Sequence, residues 1–268
     1  MPELAVVSPS PILLDITDGI ARIRFNRPKV LNALDEATIL AFKAAVDEVA
    51  ADSTVRVVVL SGEGRAFLAG GDVGRFHTAG PDAPKVVAAI IDPFHQAILA
   101  LAGMPAPVIA SVHGAAAGAG LSVALAADLA IAAEDAVFTM AYTRIGTTPD
   151  GSGTFSLPRV VGLRKAMELA LLSDTVDAAE ALRLGLVNKV VPVAALAHET
   201  DLLARRLAAG PTEAYGRIKH LLRAAFRHTL SEQLHAEREA FIASAGTADF
   251  AEGVAAFVAK RPPQFEGR

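Results

Sequence analysis

The chain has 268 residues, a formal charge of −4, no Cys and no Trp. That length suits one large α/β domain, or one domain with a modest appendage. The charge gives no electrostatic case for a nucleic-acid or anionic-membrane surface, and the missing Cys excludes disulfides, thiolate metal sites and a Cys nucleophile.

The opening Met1-Pro2-Glu3-Leu4 has no basic stretch followed by an apolar run. No secretory signal is expected, and a cytoplasmic location is the default. Residues 12–17 (ILLDIT) and 20–25 (IARIRF) are two β-prone runs joined by Asp18-Gly19, a strong hairpin signal. Asp35 is placed to cap a helix running to about Ala51. Residues 55–60 (VRVVVL) read as a strand, followed by a Gly-studded loop over 61–71. Residues 83–102 read as helical around Pro93, 108–112 as a strand, 118–127 as a short buried helix, and 129–133 and 137–140 as extended. This alternation predicts a parallel-sheet α/β core.

Residues 93–127 contain no Asp, Glu, Lys or Arg, a pattern that a membrane span would also produce. Pro93, Gly103, Pro105 and Pro107 argue against one continuous helix, and His95, Gln96, Ser111 and His113 sit among the apolar residues. A span needs ~20 consecutive, mostly apolar residues, usually richer in Leu, Ile, Val and Phe than this Ala/Gly stretch. The window is read as core. After about Pro192 the strand runs stop, and 194–208, 212–226, 230–244 and 248–259 are all helix-like. The expected organisation is therefore a core over 1–192 and a helical region over 193–268.

Two glycine-rich places follow strands: Phe67-Leu68-Ala69-Gly70-Gly71-Asp72-Val73, and His113-Gly114-Ala115-Ala116-Ala117-Gly118-Ala119-Gly120-Leu121-Ser122. Each could present backbone N–H groups at a helix start, and two converging donors make an oxyanion hole. The same glycines would also serve turns and close packing. Neither place fits a dinucleotide fingerprint or a phosphate loop.

At this point the chain resembles the crotonase (enoyl-CoA hydratase/isomerase) superfamily. The resemblance is carried by the order and spacing of Asn26-Arg27-Pro28-Lys29-Val30-Leu31-Asn32-Ala33-Leu34, then residues 67–73, 112–128 and 146–153. It implies an α/β fold, a spiral of ββα turns with a C-terminal α-helical oligomerisation region, commonly in trimers or dimers of trimers. It implies an acyl-CoA thioester substrate, with coenzyme A belonging to the substrate and no separate cofactor or metal. By the same resemblance, the N–H groups of Gly71 and Ala119 would hold a thioester enolate. Lys29, Val30, Leu31, Ala69, Asp72 and Val73 would line the CoA path. Phe257 and Lys260 would contact CoA, often from the neighbouring subunit. A plain solvated lysine is the ordinary alternative for Lys29 and Lys260.

The departures from the family pattern bear on the reaction. Hydratases of this family carry two Glu residues where this chain has Ser122 and Tyr142. A hydroxyl or a phenol is a poor base near neutral pH. One carboxylate remains, Asp150 in Gly146-Thr147-Thr148-Pro149-Asp150-Gly151-Ser152-Gly153. With the ending Lys260-Arg261-Pro262-Pro263-Gln264-Phe265, that run looks most like the ring 1,2-epoxyphenylacetyl-CoA isomerase subgroup, in which the matching Asp serves as acid and base. A Pro-Asp-Gly turn residue is the bland alternative.

The resulting expectation is an acyl-CoA isomerase that shuttles a proton through Asp150. A hydratase with a non-standard base and a non-catalytic acyl-CoA-binding homologue are the alternatives. Phe76, Phe94, Tyr142, Phe155 and Leu157 are candidates to shape the acyl pocket. His113 reads as a packed structural residue, Asp128 as a local cap or pair, and Asp72 as a helix cap. His220, His228 and His235 form no evident metal constellation.

Overall fold

The computed structural model describes residues 10–268, so the opening Met1-Pro2-Glu3-Leu4 read above for a signal lies outside the described residues. β1 (Ile12–Thr17) and β2 (Ile20–Phe25) form an antiparallel hairpin. Its turn residues Asp18 and Gly19 both have positive φ, 54° and 74°, as a two-residue primed turn requires. α1 (Glu36–Ala51) starts at Asp35, whose side chain accepts the Thr38 N–H at 2.8 Å. β3 (Val57–Gly62) follows, then α2 (Val73–Ala79) and α3 (Ala83–Gly103). The chain continues through β4 (Val108–Val112), β5 (Ala115–Ala117), α4 (Ala119–Ala126), β6 (Leu129–Ala133) and β7 (Val137–Thr139). Next come α5 (Gly153–Val161), α6 (Leu163–Leu172), β8 (Val176–Asp177), α7 (Ala178–Leu184) and β9 (Lys189–Val191). α8 (Leu196–Ala208), α9 (Thr212–Ala224), α10 (Leu230–Ala245) and α11 (Ala248–Val258) complete it.

The strands make two sheets. The larger has the order β1-β2-β3-β4-β6-β9, parallel throughout except for the β1/β2 hairpin; the smaller has the order β5-β7-β8. The turns β4-β5-α4 and β6-β7-α5 each add one strand to the large sheet, one to the small sheet, and then a helix. This is the expected spiral. Side-chain alternation gives the large sheet two faces. Ala21, Ile23, Phe25, Val58 and Leu60 face the main core with Ile39, Phe42 and Val46 of α1 and Phe94 and Leu101 of α3. Ile20, Val57, Val59 and Ile109 face the other way, against Ala204 and Leu203 of α8. α10, by contrast, has no buried residue in the single chain, and its start is fixed by a capping box between Thr229 and Glu232.

The structure differs from the sequence reading in four places. Beyond the expected β1/β2 hairpin the sheets are not purely parallel, since β7/β8 is also antiparallel. Helices α5, α6 and α7 fill residues 153–184, where no helix is predicted. Each is only seven to ten residues long, and Gly162 and Gly185 at positive φ punctuate them, so no long periodic run marks them. Pro93 does not interrupt its helix; it sits inside the 21-residue α3. The uncharged window is nonetheless not one helix, because it contributes the second half of α3, then β4, β5 and α4. Finally, Asp128 pairs across the fold with Lys219 and Arg223 of α9 rather than locally. Among the described residues one helical stretch, Val73–Gly103, is apolar and long enough to cross a membrane; Ile90, Phe94, Ala97, Ile98 and Leu101 on it are buried against the core.

Candidate active site

The two glycine-rich segments meet. Leu68 bridges Ala116, and Leu34 bridges Gly71, so the loop after β3 is pinned on both sides. Gly70 adopts φ +96°, and a Cβ there would lie 3.0 Å from the Ala117 carbonyl oxygen and 3.7 Å from the Ala119 nitrogen. The missing side chain lets the two loops touch. Among the described residues, neither the Gly71 N–H nor the Ala119 N–H donates a hydrogen bond, although the N–H groups of Asp72 and Gly118 on either side are paired, with Leu34 O and Thr139 O. The Ala119 N–H is the first of α4, where the helix dipole also favours negative charge.

Both residues line one cleft of about 610 Å³. Phe76, Val87, Ile90, Ile91 and Phe94 of α2 and α3 make its apolar wall; Tyr142, Arg144 and Asp150 bring polar groups. A Cβ on Gly71 would lie 3.1 Å from the Phe76 ring, so that ring packs directly beside the first donor.

Two hydroxyls hold Asp150 and lie beside each other. The Tyr142 hydroxyl donates to Asp150 Oδ1 at 2.5 Å. Ser122 Oγ donates to the Asp150 main-chain oxygen at 2.8 Å. Ser122 Oγ and Tyr142 Oη are 3.1 Å apart. Burial, then the neighbouring Asp150 carboxylate, push the Tyr142 phenol well above its ordinary pKa, so it is a neutral donor. Gly151, at φ +55°, lets the chain turn under the Phe94 ring, and its N–H donates to His95 Nε2 at 3.2 Å.

Of the residues expected from the sequence, the cleft brings together Gly71, Ala119, Asp150, Ala69, Val73 and Tyr142. Ser122 is fully buried behind Tyr142 rather than on the cleft wall. Asp72 caps α2 through the Arg75 N–H at 3.2 Å and lies 3.7 Å from Arg27, so its carboxylate is already engaged. Lys29, Val30 and Leu31 form an exposed to half-buried turn beside the cleft. The Leu31 carbonyl accepts the Ala69 N–H, and buried Asn32 donates to Glu63, Ala66 and Phe67 carbonyls, which fastens that turn to the donor loop. Phe257 (85% exposed) and Lys260 do not line the cleft of their own chain. Phe257 instead borders a separate hollow with Phe250 and Phe265. Phe76 and Phe94 shape the cleft as expected. Phe155 and Leu157 do not: the first stacks under Arg159, the second is core.

Sequence reasoning missed Val87, Ile90, Ile91 and His77 as lining residues, and His95 as the acceptor for the Gly151 N–H. The signal for Val87, Ile90 and Ile91 was the apolar periodicity of α3, which does not extend to His77 on α2. His95 gives no such signal, since it meets Gly151 across 56 residues of chain. Among the described residues no cluster of His, Cys, Asp or Glu could hold a metal ion.

A family model described as Enoyl-CoA hydratase/isomerase matches residues 15–268. A probable enoyl-CoA hydratase of Rhodobacter capsulatus is 42% identical over 257 residues, covering 96% of this chain and 98% of that protein. The 1,2-epoxyphenylacetyl-CoA isomerase of Escherichia coli is 39% identical over 259 residues, with coverage of 96% and 98%. A crystal structure of an enoyl-CoA hydratase from Polaromonas sp. JS666 superposes with a TM-score of 0.90 at 37% identity, covering 95% of this chain and 99% of that one. With two unpaired backbone donors at the mouth of an apolar cleft and this breadth of match, the chain belongs to the enoyl-CoA hydratase/isomerase family of the crotonase superfamily.

Proposed function

We propose that the chain is an acyl-CoA isomerase in which Asp150 carries the proton. The observation behind this reading is the pairing at the cleft wall: one carboxylate, Asp150, held by Tyr142, with hydroxyls at both positions where a hydratase carries glutamate. In this reading the thioester oxygen accepts the Gly71 and Ala119 N–H groups. Asp150 removes the α-proton, and the electron pair moves into an enolate whose charge the two donors share. As the enolate collapses, the same carboxyl returns the proton at another carbon. No water enters, and no group beyond the acyl-CoA is consumed. Each backbone donor is worth on the order of 10²–10³ in rate. The apolar wall of Phe76, Ile90 and Phe94 suits an aromatic or medium-length acyl group, and ring 1,2-epoxyphenylacetyl-CoA is the leading candidate by resemblance. The proposal includes assembly as a homotrimer or dimer of trimers, with Phe257 and Lys260 reaching a neighbouring subunit's CoA, and a cytoplasmic location.

The test is an activity panel of 3-enoyl-, 2-enoyl- and ring-epoxide phenylacetyl-CoA with wild type and Asp150→Asn. Isomerisation that vanishes in the variant, with CoA-ester binding nearly kept, supports the reading; unchanged turnover overturns it. The name of the Rhodobacter relative favours a second reading, water addition by another base. Rapid hydration of crotonyl-CoA that survives Asp150→Asn would select it.

A further inference from the structure

Counting hydrogens around Asp150 assigns a role to the two hydroxyls that stand where the hydratase acids would be. Tyr142 and Ser122 have one hydroxyl hydrogen each. An ionised carboxylate and a carbonyl oxygen can only accept. The 2.5 Å contact with Asp150 Oδ1 therefore takes the Tyr142 hydrogen, and the 2.8 Å contact with the Asp150 carbonyl takes the Ser122 hydrogen. None is left for the 3.1 Å Ser122–Tyr142 contact. Both hydroxyls are thus fully committed to one residue. Ser122, fully buried on α4, holds its main chain; Tyr142 holds one of its two carboxylate oxygens. Neither retains a hydrogen for substrate or water.

We propose that Tyr142 and Ser122 are positioning residues that occupy Asp150 Oδ1 and the Asp150 carbonyl, leaving Oδ2 as the single oxygen that takes up and returns the substrate proton. This rests on the reading of Asp150 as the proton shuttle. The Tyr142 hydroxyl, a neutral donor, fixes the orientation of the carboxylate, and a hydrogen bond to a charged acceptor is about twice as strong as a neutral one. Tyr142 transfers no proton itself. The other titratable or charged groups facing this corner are His95, whose Nε2 accepts the Gly151 N–H, and His77 and Arg144, which line the same cleft.

The experiment measures kcat and KM for isomerisation, together with thermal melting, in wild type, Tyr142→Phe and Ser122→Ala. In Ser122→Ala kcat falls by less than in Tyr142→Phe, since that hydroxyl touches the carbonyl and not the carboxylate. With substrate, Tyr142→Phe lowers kcat roughly tenfold or more at neutral pH while KM stays within about twofold. A Tyr142→Phe kcat within about twofold of wild type, in a protein with wild-type melting, overturns the inference. Isomerase turnover that persists in Asp150→Asn overturns the underlying reading instead, so the two failures are told apart.

Discussion

Lys219 Nζ on α9 lies 2.8 Å from Asp128 Oδ2 just beyond α4, and the two side chains are only 9% and 14% exposed. Lys219 also donates to the Met104 and Ala106 carbonyls, at 3.0 and 2.8 Å, and Asp128 accepts the Val108 N–H and the Arg223 guanidinium. Burial pulls the Lys219 pKa below its ordinary value, only partly offset by Asp128. Removing one partner of such a pair leaves an underpaired buried charge and two unpaired carbonyls. Lys219→Met is expected to cost about 3–5 kcal/mol in urea unfolding. A loss below about 1 kcal/mol would show that the pair contributes little.

Gly120 carries a sharper steric demand. A Cβ there would lie 1.9 Å from the Leu68 carbonyl oxygen, a backbone atom. Gly120→Ala must therefore push α4 off the donor loop and move the Ala119 N–H away from Gly71. Turnover should fall by about 10²-fold or more, the scale of losing one oxyanion donor. Near-wild-type kcat in a folded variant would contradict this placement of the second donor.

Gly151 tests the other side of the cleft. An added Cβ would lie 2.4 Å from the Phe94 ring and 3.2 Å from the Ser122 Cβ, at a backbone φ of +55° that L side chains rarely adopt. Gly151→Ala should swing Asp150 out of line and cost on the order of 10² in kcat, as a ~1 Å misplacement does. Asp150→Asn in the same background should then have little further effect, which a double-mutant cycle measures.

Glu252 supplies a pH dependence. The Arg261 guanidinium, at 2.6 and 2.7 Å, and the Gln264 N–H, at 2.8 Å, hold its carboxyl down at about 2 from an ordinary 4.5. Because the folded value is the depressed one, the stabilisation is complete above about 4.5 and fades as pH falls towards about 2. The Gln264 amide resonance should report this, titrating with a midpoint near 2 in wild type and losing the transition in Glu252→Gln. A midpoint near 4.5 would mean that the tail contact is not formed in solution.

Much of the fold is legible where one local signal suffices. The Asp18-Gly19 turn, the Asp35 cap, the Val-rich β3 and the four C-terminal helices are all written in neighbouring residues. The small sheet is not: β5 is Ala115–Ala117, three residues without β-branching, and it pairs only because β7 lies alongside. In the same way Asp150 can be picked out by spacing, and Tyr142 and Ser122 by what they replace. That the three converge depends on a tertiary approach between α4 and the segment before α5, which no local pattern encodes. His95 is the extreme case, a helix residue whose partner is one backbone N–H in a distant turn.

α4 is a rod of eight residues, ~12 Å long by the helical rise. Its first N–H is the second donor. At its other end Arg223 of α9 bonds the Ala126 carbonyl, at 3.3 Å, and Asp128 just beyond. Arg223 also takes the Ala102 carbonyl near the end of α3, at 2.7 Å. A tilt of about 5° at the clamped end of such a lever moves the far end by about 1 Å, enough to detune catalysis. Variants in α9, remote from the thioester, should therefore include a class with intact CoA-ester binding and selectively slowed chemistry. The C-terminal helices would then act as the adjustment screw of the oxyanion hole as well as part of the scaffold.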